Sequence, residues 1–145
     1  MNSLLVDSGF WYAFHSPRDQ YHEKAIEYGV YLENACIIFP YPTLYEILNT
    51  AFVKSKTSLG RMEELVNAPN TRCINDSKYL TSAMKLTFEK GNNKSLVDNI
   101  IRLMLDDDTL RIDGLITFNA RDFYDVCAIC LLYTSPSPRD VEESR

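Results

Sequence analysis

The sequence predicts an α/β fold: three layers, with helices packed on both faces of a central parallel sheet of about four strands. Two observations carry that expectation. Short apolar runs recur along the chain, each ended by Asp, Pro or Asn, and stripes of apolar residues at three- to four-residue spacing fill the intervals between them. Strands alternating with helices imply βαβ units with right-handed crossovers. Internal repeats and low-complexity segments are missing before Cys130.

In chain order, Ser3-Leu4-Leu5-Val6-Asp7 is an apolar run closed by Asp7-Ser8-Gly9. It reads as a buried strand feeding a turn, with Asp7 at its carboxyl end. Phe10 to His15 makes one or two helical turns before Ser16-Pro17, and from Arg18 the residues Tyr21, Ala25, Tyr28 and Leu32 repeat as on a one-sided helix. Ala35 to Phe39 is the second strand. Beyond Pro40 and Pro42, Leu44, Ile47, Leu48, Ala51 and Phe52 predict one helix running toward Lys56, and a further helix covers Ser58 to Asn67, stopping before Pro69. Thr71 to Asn75 is the third strand, and Asp76 or Ser77 caps a helix through Tyr79, Leu80, Ala83, Met84 and Leu86. Gly91-Asn92-Asn93 breaks the chain. Ser95 to Leu105 is a strongly patterned helix, Gly114 to Phe118 the fourth strand, and Asn119 precedes a short turn near Phe123.

The 145 residues suit one domain, and 46% hydrophobic with 24% charged residues is globular composition, with nine Tyr, seven Phe and one Trp to fill an interior. Fifteen basic against twenty acidic residues give a net charge of −5. That excludes a protein that coats DNA by bulk charge and leaves open a metal-dependent enzyme acting on a polyanion. Apolar runs stay far below the ~20 residues of a membrane span, and no signal peptide opens the chain, so a cytoplasmic protein is expected. Cys36, Cys73 and Cys127 form an odd set without a CxxC pair, so neither a disulfide framework nor a zinc knuckle follows. Cys36 and Cys73 sit in apolar contexts and are expected to be buried small thiols.

The last sixteen residues, Cys130 to Arg145, differ from the rest: Cys-Leu-Leu-Tyr-Thr-Ser-Pro-Ser-Pro-Arg-Asp, then Val-Glu-Glu-Ser-Arg, with two of the six prolines and no periodicity. The string resembles the in-frame translation of a transposase adapter used in sequencing libraries. On that resemblance, 1–129 is the natural domain and 130–145 a non-native tail expected to be disordered. Without it the balance is 13 basic to 17 acidic residues, net −4, and the charge argument stands.

Ligands of an open parallel sheet bind beyond the carboxyl ends of its strands. The pattern sends Asp7 there after the first strand, Thr43 and Glu46 at the start of the helix after the second, Ser95 and Asp98 before the fourth, and Asn119 and Asp122 after it. Each acid has a structural explanation too. Thr43-x-x-Glu46 and Ser95-x-x-Asp98 match a capping box, Asn119-x-x-Asp122 resembles one, and Asp7 suits an Asx-turn. What favours a functional reading is that acids from distant segments fall on one sheet edge, where they repel unless a cation sits among them. Oxygen-rich sites suit Mg²⁺ or Mn²⁺. Capping and ligation are compatible, because a helix N-terminus favours an ionised carboxylate by ~0.3–1 kcal/mol at exposed sites.

Five segments, Val6-Asp7-Ser8-Gly9-Phe10-Trp11-Tyr12-Ala13, Arg18-Asp19-Gln20-Tyr21-His22-Glu23-Lys24-Ala25, Thr43-Leu44-Tyr45-Glu46, Ser95-Leu96-Val97-Asp98 and Ile116-Thr117-Phe118-Asn119-Ala120-Arg121-Asp122-Phe123, together resemble the PIN domain in order and spacing. More closely they resemble the ribonuclease toxins of type II toxin-antitoxin modules. The resemblance covers 3–126. It implies a Mg²⁺- or Mn²⁺-dependent endoribonuclease in which Asp7, Glu46 and Asp98 are catalytic and hold the metal, with Ser8 and Thr43 supporting them. It also implies an RNA substrate, a cognate antitoxin as protein partner, and a homodimer. Asn119 stands where many members carry Asp, which weakens a second metal position; Asp122, three residues on, is the alternative fourth ligand. The competing expectation is a PIN-fold module that binds RNA or protein without cleavage. A phosphohydrolase of small esters lacks support, since the first strand carries no Asp-x-Asp pair. PIN domains finish on a further edge strand, whose place the tail occupies here.

Other tempting residues keep ordinary roles. His15 and His22 are expected at the surface or in packing, and Phe10, Trp11, Tyr12 and Phe14 in the core rather than as base-stacking groups. Lys54, Lys56, Arg61, Lys78, Lys85, Lys90 and Lys94 read as scattered solvated charges, and Asp106-Asp107-Asp108 as a solvated turn.

Overall fold

Four short strands carry the architecture of the computed structural model, which describes residues 1–126. β1 (Ser3–Val6), β2 (Cys36–Pro40), β3 (Thr71–Ile74) and β4 (Gly114–Ile116) form one all-parallel sheet in the order β3-β2-β1-β4. The register pairs Leu4 with Ile37, Leu5 with Ile38 and Leu115, Val6 with Ile116, and Phe39 with Cys73. Because strand side chains alternate between faces, Leu4, Val6, Ile37, Phe39 and Ile116 enter one core and Leu5, Ile38 and Leu115 the other.

Helices cover both faces, as continuous apolar strands demand. α1 (Ser8–His15), α2 (His22–Gly29), α3 (Tyr41–Ile47), α4 (Thr50–Val53) and α5 (Lys56–Val66) follow β1 and β2; α6 (Ser77–Phe88) and α7 (Leu96–Leu105) lie between β3 and β4. The first core is aromatic. Phe10 and Trp11 are fully buried on α1, with Trp11 stacked on Phe39 at 5.2 Å and Phe10 on Phe118 at 6.2 Å. Each such side chain contributes ~1.5–3 kcal/mol by burial. The second core is aliphatic, built by Ile100, Ile101 and Met104 of α7 against Leu5, Ile38 and Leu115, with Phe123 beneath the turn after β4.

The strand order places the topological switch between β1 and β4, since the chain runs outward from β1 through β2 and β3 and returns to β1's other side. The crevice beyond their carboxyl ends is where such sheets bind ligands. Among the described residues, no helix is long and apolar enough to cross a membrane.

Several expectations are corrected. The helix predicted from Leu44 to Lys56 is two: Leu48 leaves helical geometry, and Asn49 caps α4 by accepting from the Phe52 amide at 3.0 Å while its Nδ2 donates to the Glu46 carbonyl at 2.9 Å. An Asn that satisfies the end of one helix and the start of the next outcompetes a continuous apolar stripe. Thr43 lies inside α3, whose N-cap is Pro40, so Thr43-x-x-Glu46 is no capping box. Cys36, the first residue of β2, is only partly buried, and Cys73 is exposed because β3 is an edge strand with few covering side chains. Asp107 is more than a solvated turn: it accepts from Lys78 Nζ at 3.1 Å, from the Tyr79 hydroxyl, and from the Thr109 amide at 3.0 Å. Cys127, the adapter-like segment Cys130–Arg145 and any further edge strand lie outside the described residues.

Candidate metal centre

The site is assembled from the loops that leave the strands. Asp7 continues the β1–β4 ladder by one amide, donating to the Ile116 carbonyl at 3.0 Å, and then caps α1. Its Oδ1 accepts from the Ser8 amide at 2.8 Å and its Oδ2 from the Thr117 hydroxyl at 3.0 Å. Thr117 is fully buried at the end of β4, and its Oγ1 in turn accepts from the Asn119 amide at 3.0 Å. Glu46, from α3 in the same layer as α1, is tied to Asp7's neighbour: the Ser8 hydroxyl donates to Glu46 Oε1 at 2.8 Å. The Tyr12 hydroxyl donates to the Glu46 main-chain carbonyl and accepts from Asn49 Nδ2 at 2.8 Å. Ser8 and Tyr12 are one turn apart on α1, and Glu46 and Asn49 one turn apart in sequence, so two same-face pairs brace the helices against each other.

Asp98 arrives from the opposite layer. Ser95 caps α7 and accepts from the Asp98 amide at 3.0 Å, one arm of the predicted capping box, which sets the carboxylate in the first turn. Asp122 stands on a single 3₁₀ turn (Ala120–Asp122) after β4, and Asn119 Nδ2 donates to its Oδ2. That bond replaces the backbone cap expected of Asn119, whose side chain caps no amide. Arg102, one turn after Asp98, fixes this segment by donating to the Asp122 carbonyl at 2.6 Å and to both carboxylate oxygens of Asp125 at 2.7 Å.

Asp7 and Asp98 each sense neighbouring acids. Burial pushes the Asp7 carboxyl up to about 6, against the lowering by the Thr117 hydrogen bond and the Ser8 amide; the charges of Asp98 and then Glu46 add to the rise. Burial also raises Asp98, against the Ser95 hydrogen bond, with Asp122 and Glu46 raising it further and Lys94 lowering it. Of the two ion pairs among the described residues, Lys78–Asp107 and Arg102–Asp125, neither involves Asp7, Glu46, Asp98 or Asp122. The structure therefore gathers Asp7, Glu46, Asp98 and Asp122 at the switch point, with Ser8 bonded into the cluster. It does not close them into a finished cage, since among the described residues no three acids stand close enough to count as a metal-holding group. Thr43 is fully buried with its hydroxyl unpartnered.

Thr117, Asn49 and Arg102 escaped the sequence reading, and Tyr12 was assigned to the core. Part of the signal was present: Ser8 and Tyr12 at i and i+4 share a helix face, so one reaching Glu46 implicates the other. Against known proteins, the chain matches no family model and no curated protein.

Proposed function

We propose that the chain is a Mg²⁺- or Mn²⁺-dependent endoribonuclease of PIN type, acting as the toxin of a toxin-antitoxin pair. The observation that supports it best is the convergence of Asp7, Glu46, Asp98 and Asp122, from four separate segments, at the switch-point end of a parallel sheet with no ion-paired Lys or Arg among them. The donors are hard oxygens, and burial with the charges of neighbouring acids makes the ionised forms of Asp7 and Asp98 costly without a cation, so the donor set suits a divalent metal in kind. Asp7, Glu46 and Asp98 would hold it, with Asn119 or Asp122 as the fourth position. When bound, such an ion supplies Lewis acidity toward water and a phosphate oxygen.

The chain's own groups supply the rest. Asp7 is oriented at both oxygens by Ser8 and Thr117. Glu46, held at Oε1 by Ser8, presents its other oxygen to align the attacking water and take its proton. The toxin assignment draws on the resemblance of the five segments to such ribonucleases; a small upstream reading frame encoding a DNA-binding protein that suppresses the cleavage would support it.

A non-cleaving RNA- or protein-binding module is the second reading, favoured by the Asn119–Asp122 hydrogen bond, which occupies one oxygen of the fourth acid with a neutral partner. Incubating the full chain with structured RNA and Mn²⁺ or Mg²⁺ separates the two. Cleavage that EDTA stops, and that Asp7→Asn and Asp98→Asn each abolish with the fold intact, is the expected result. Full activity in both variants would overturn the assignment, and no cleavage by the wild type under either metal would favour the module.

A further inference from the structure

A cavity of about 470 Å³ opens beside the acids and shares two of their supporting residues, Tyr12 and Asn49. Tyr12 bonds the Glu46 main chain, so one side chain both lines the cavity and touches the helix that carries Glu46. Its composition contrasts with that of the acid cluster. Tyr12, His15 and Phe52 give flat ring surfaces, Ser16, Ser55, Ser58 and Asn49 give hydrogen-bonding groups, Arg18 gives an exposed cation, and among the described residues no acid lines it.

His15 is the unusual member. It is walled by Phe14 at 5.3 Å and Phe52 at 5.4 Å, both edge-on, and lies over Trp11 at 6.4 Å, with both ring nitrogens buried and unpartnered. Burial, with Arg61 nearby, pushes its pKa down to about 4, so the ring is neutral at pH 7.

We infer that this cavity is the subsite for one unpaired nucleotide of a single-stranded RNA, next to the cleaved phosphate. The base lies against the rings of Tyr12, His15 and Phe52, and its phosphate meets Arg18. The inference rests on the nuclease reading for the choice of RNA. The cavity itself favours that ligand over a helix or a strand of protein: its size is that of a small-molecule pocket, stacking rings are the sequence-tolerant way to hold a splayed base, and one cation without acids matches one phosphate. A base stacked there also passes Tyr12 on the way to Glu46, so the strand would enter the site from the α1–α4 side.

The test uses the full chain and a fluorescein-labelled single-stranded RNA, with binding read by anisotropy in EDTA and cleavage read separately in Mn²⁺. Ala51 is exposed at the cavity wall, so Ala51→Trp fills the space without touching the core, while Arg18→Ala removes the cation. Expected are binding weakened at least ~10-fold by Ala51→Trp, binding weakened by Arg18→Ala with a salt slope shallower by about one, and, in Mn²⁺, a raised KM with kcat within about twofold for both. Duplex RNA should bind no better to the wild type than to Ala51→Trp. Absence of wild-type binding, or equal binding by the wild type and both variants, overturns the subsite. If binding depends on the cavity while the wild type cleaves nothing, the subsite stands and the nuclease reading falls; cleavage with an unchanged KM in both variants has the opposite meaning.

Discussion

Replacing Asp7 by Asn is expected to stabilise the fold above neutral pH while abolishing cleavage. Burial foremost, with Asp98 and Glu46 adding, moves the Asp7 carboxyl from 3.8 to about 6. At ~1.4 kcal/mol per pKa unit, the ionised form costs the native state ~3 kcal/mol. The unfolded chain releases this proton near 3.8 and the folded protein keeps it to about 6, so stability falls as pH rises through that window. The penalty is complete above it and gone below it. Asn carries no such penalty at any pH and still accepts from the Ser8 amide, but its NH₂ obliges the Thr117 hydroxyl to accept instead of donate, at a cost of ~1 kcal/mol. The net expectation is a gain of ~2 kcal/mol at pH 8 and a loss of ~1 kcal/mol at pH 3. Near 150 residues, ~1 kcal/mol moves Tm by ~2–4 °C, so the pH 8 gain is ~4–8 °C. Thermal and urea unfolding of both proteins in EDTA at the two pH values measures it. Millimolar Mn²⁺ should raise the Tm of the wild type and leave the variant unmoved. If the variant is the less stable protein at both pH values, or the difference is the same at both, the carboxyl is not strained by its surroundings and the reasoning fails.

Ser8→Ala removes the hydroxyl that holds Glu46 Oε1 and should lower kcat ~10–100-fold while costing only ~0.5–1.5 kcal/mol in urea unfolding; unchanged turnover would show that Glu46 needs no tether. Asn119→Asp sets a second carboxylate against Asp122 and should lower Tm in EDTA, by ~1 kcal/mol of repulsion, yet give a larger Mn²⁺-induced Tm rise than the wild type; an equal rise would remove position 119 from the metal site. Arg102→Met breaks the clamp on Asp122 and Asp125. Asp125 is largely exposed, so ~1–2 kcal/mol of stability should be lost, together with the downward shift that holds the Asp125 carboxyl at about 2, which an NMR titration reads directly.

How much of this was legible in the chain depends on the distance over which each feature is decided. The strands were, since short runs rich in apolar residues between turn residues leave little else possible, and the same alternation of elements directs the loops that carry Asp7, Glu46, Asp98 and Asp122 toward one sheet edge. The break at Leu48 was not, because an apolar stripe through Leu44, Ile47, Ala51 and Phe52 looks the same whether or not Asn49 turns its side chain onto the backbone. Thr117 was hidden because its partner, Asp7, lies 110 residues away. Asp107 was misread for the same reason: Tyr79 and Lys78 reach it across 28 and 29 residues, from a helix whose facing could not be known without α7. Cys73 failed on position in the sheet, since an apolar context does not distinguish a central strand from an edge.

What holds Asp7, Glu46 and Asp98 in place is neutral, and that distinguishes these three from a structural ion network. Ser8, Thr117, Ser95, Tyr12 and Asn49 fix the carboxylates or their main chain with hydroxyls, an amide side chain and backbone N–H groups. Structural clusters of carboxylates are ordinarily stabilised by Arg or Lys, and this chain has the means within reach: Arg102 stands one turn beyond Asp98. Its guanidinium instead pairs with Asp125 and donates to the Asp122 carbonyl, close enough to feel the Asp122 charge without an ion pair to it. Lys94 acts on Asp98 as the weakest of its influences. The geometry is thus set independently of the charge, and the charge is left for something from solution to balance. On the proposed metal site a divalent cation would do that at the cost of no protein cation, and the same scarcity of positive side chains would leave room for a phosphate to approach. Arg18, which lines the neighbouring cavity with Tyr12, would then meet the next phosphate of a strand under the proposed subsite, outside the acids.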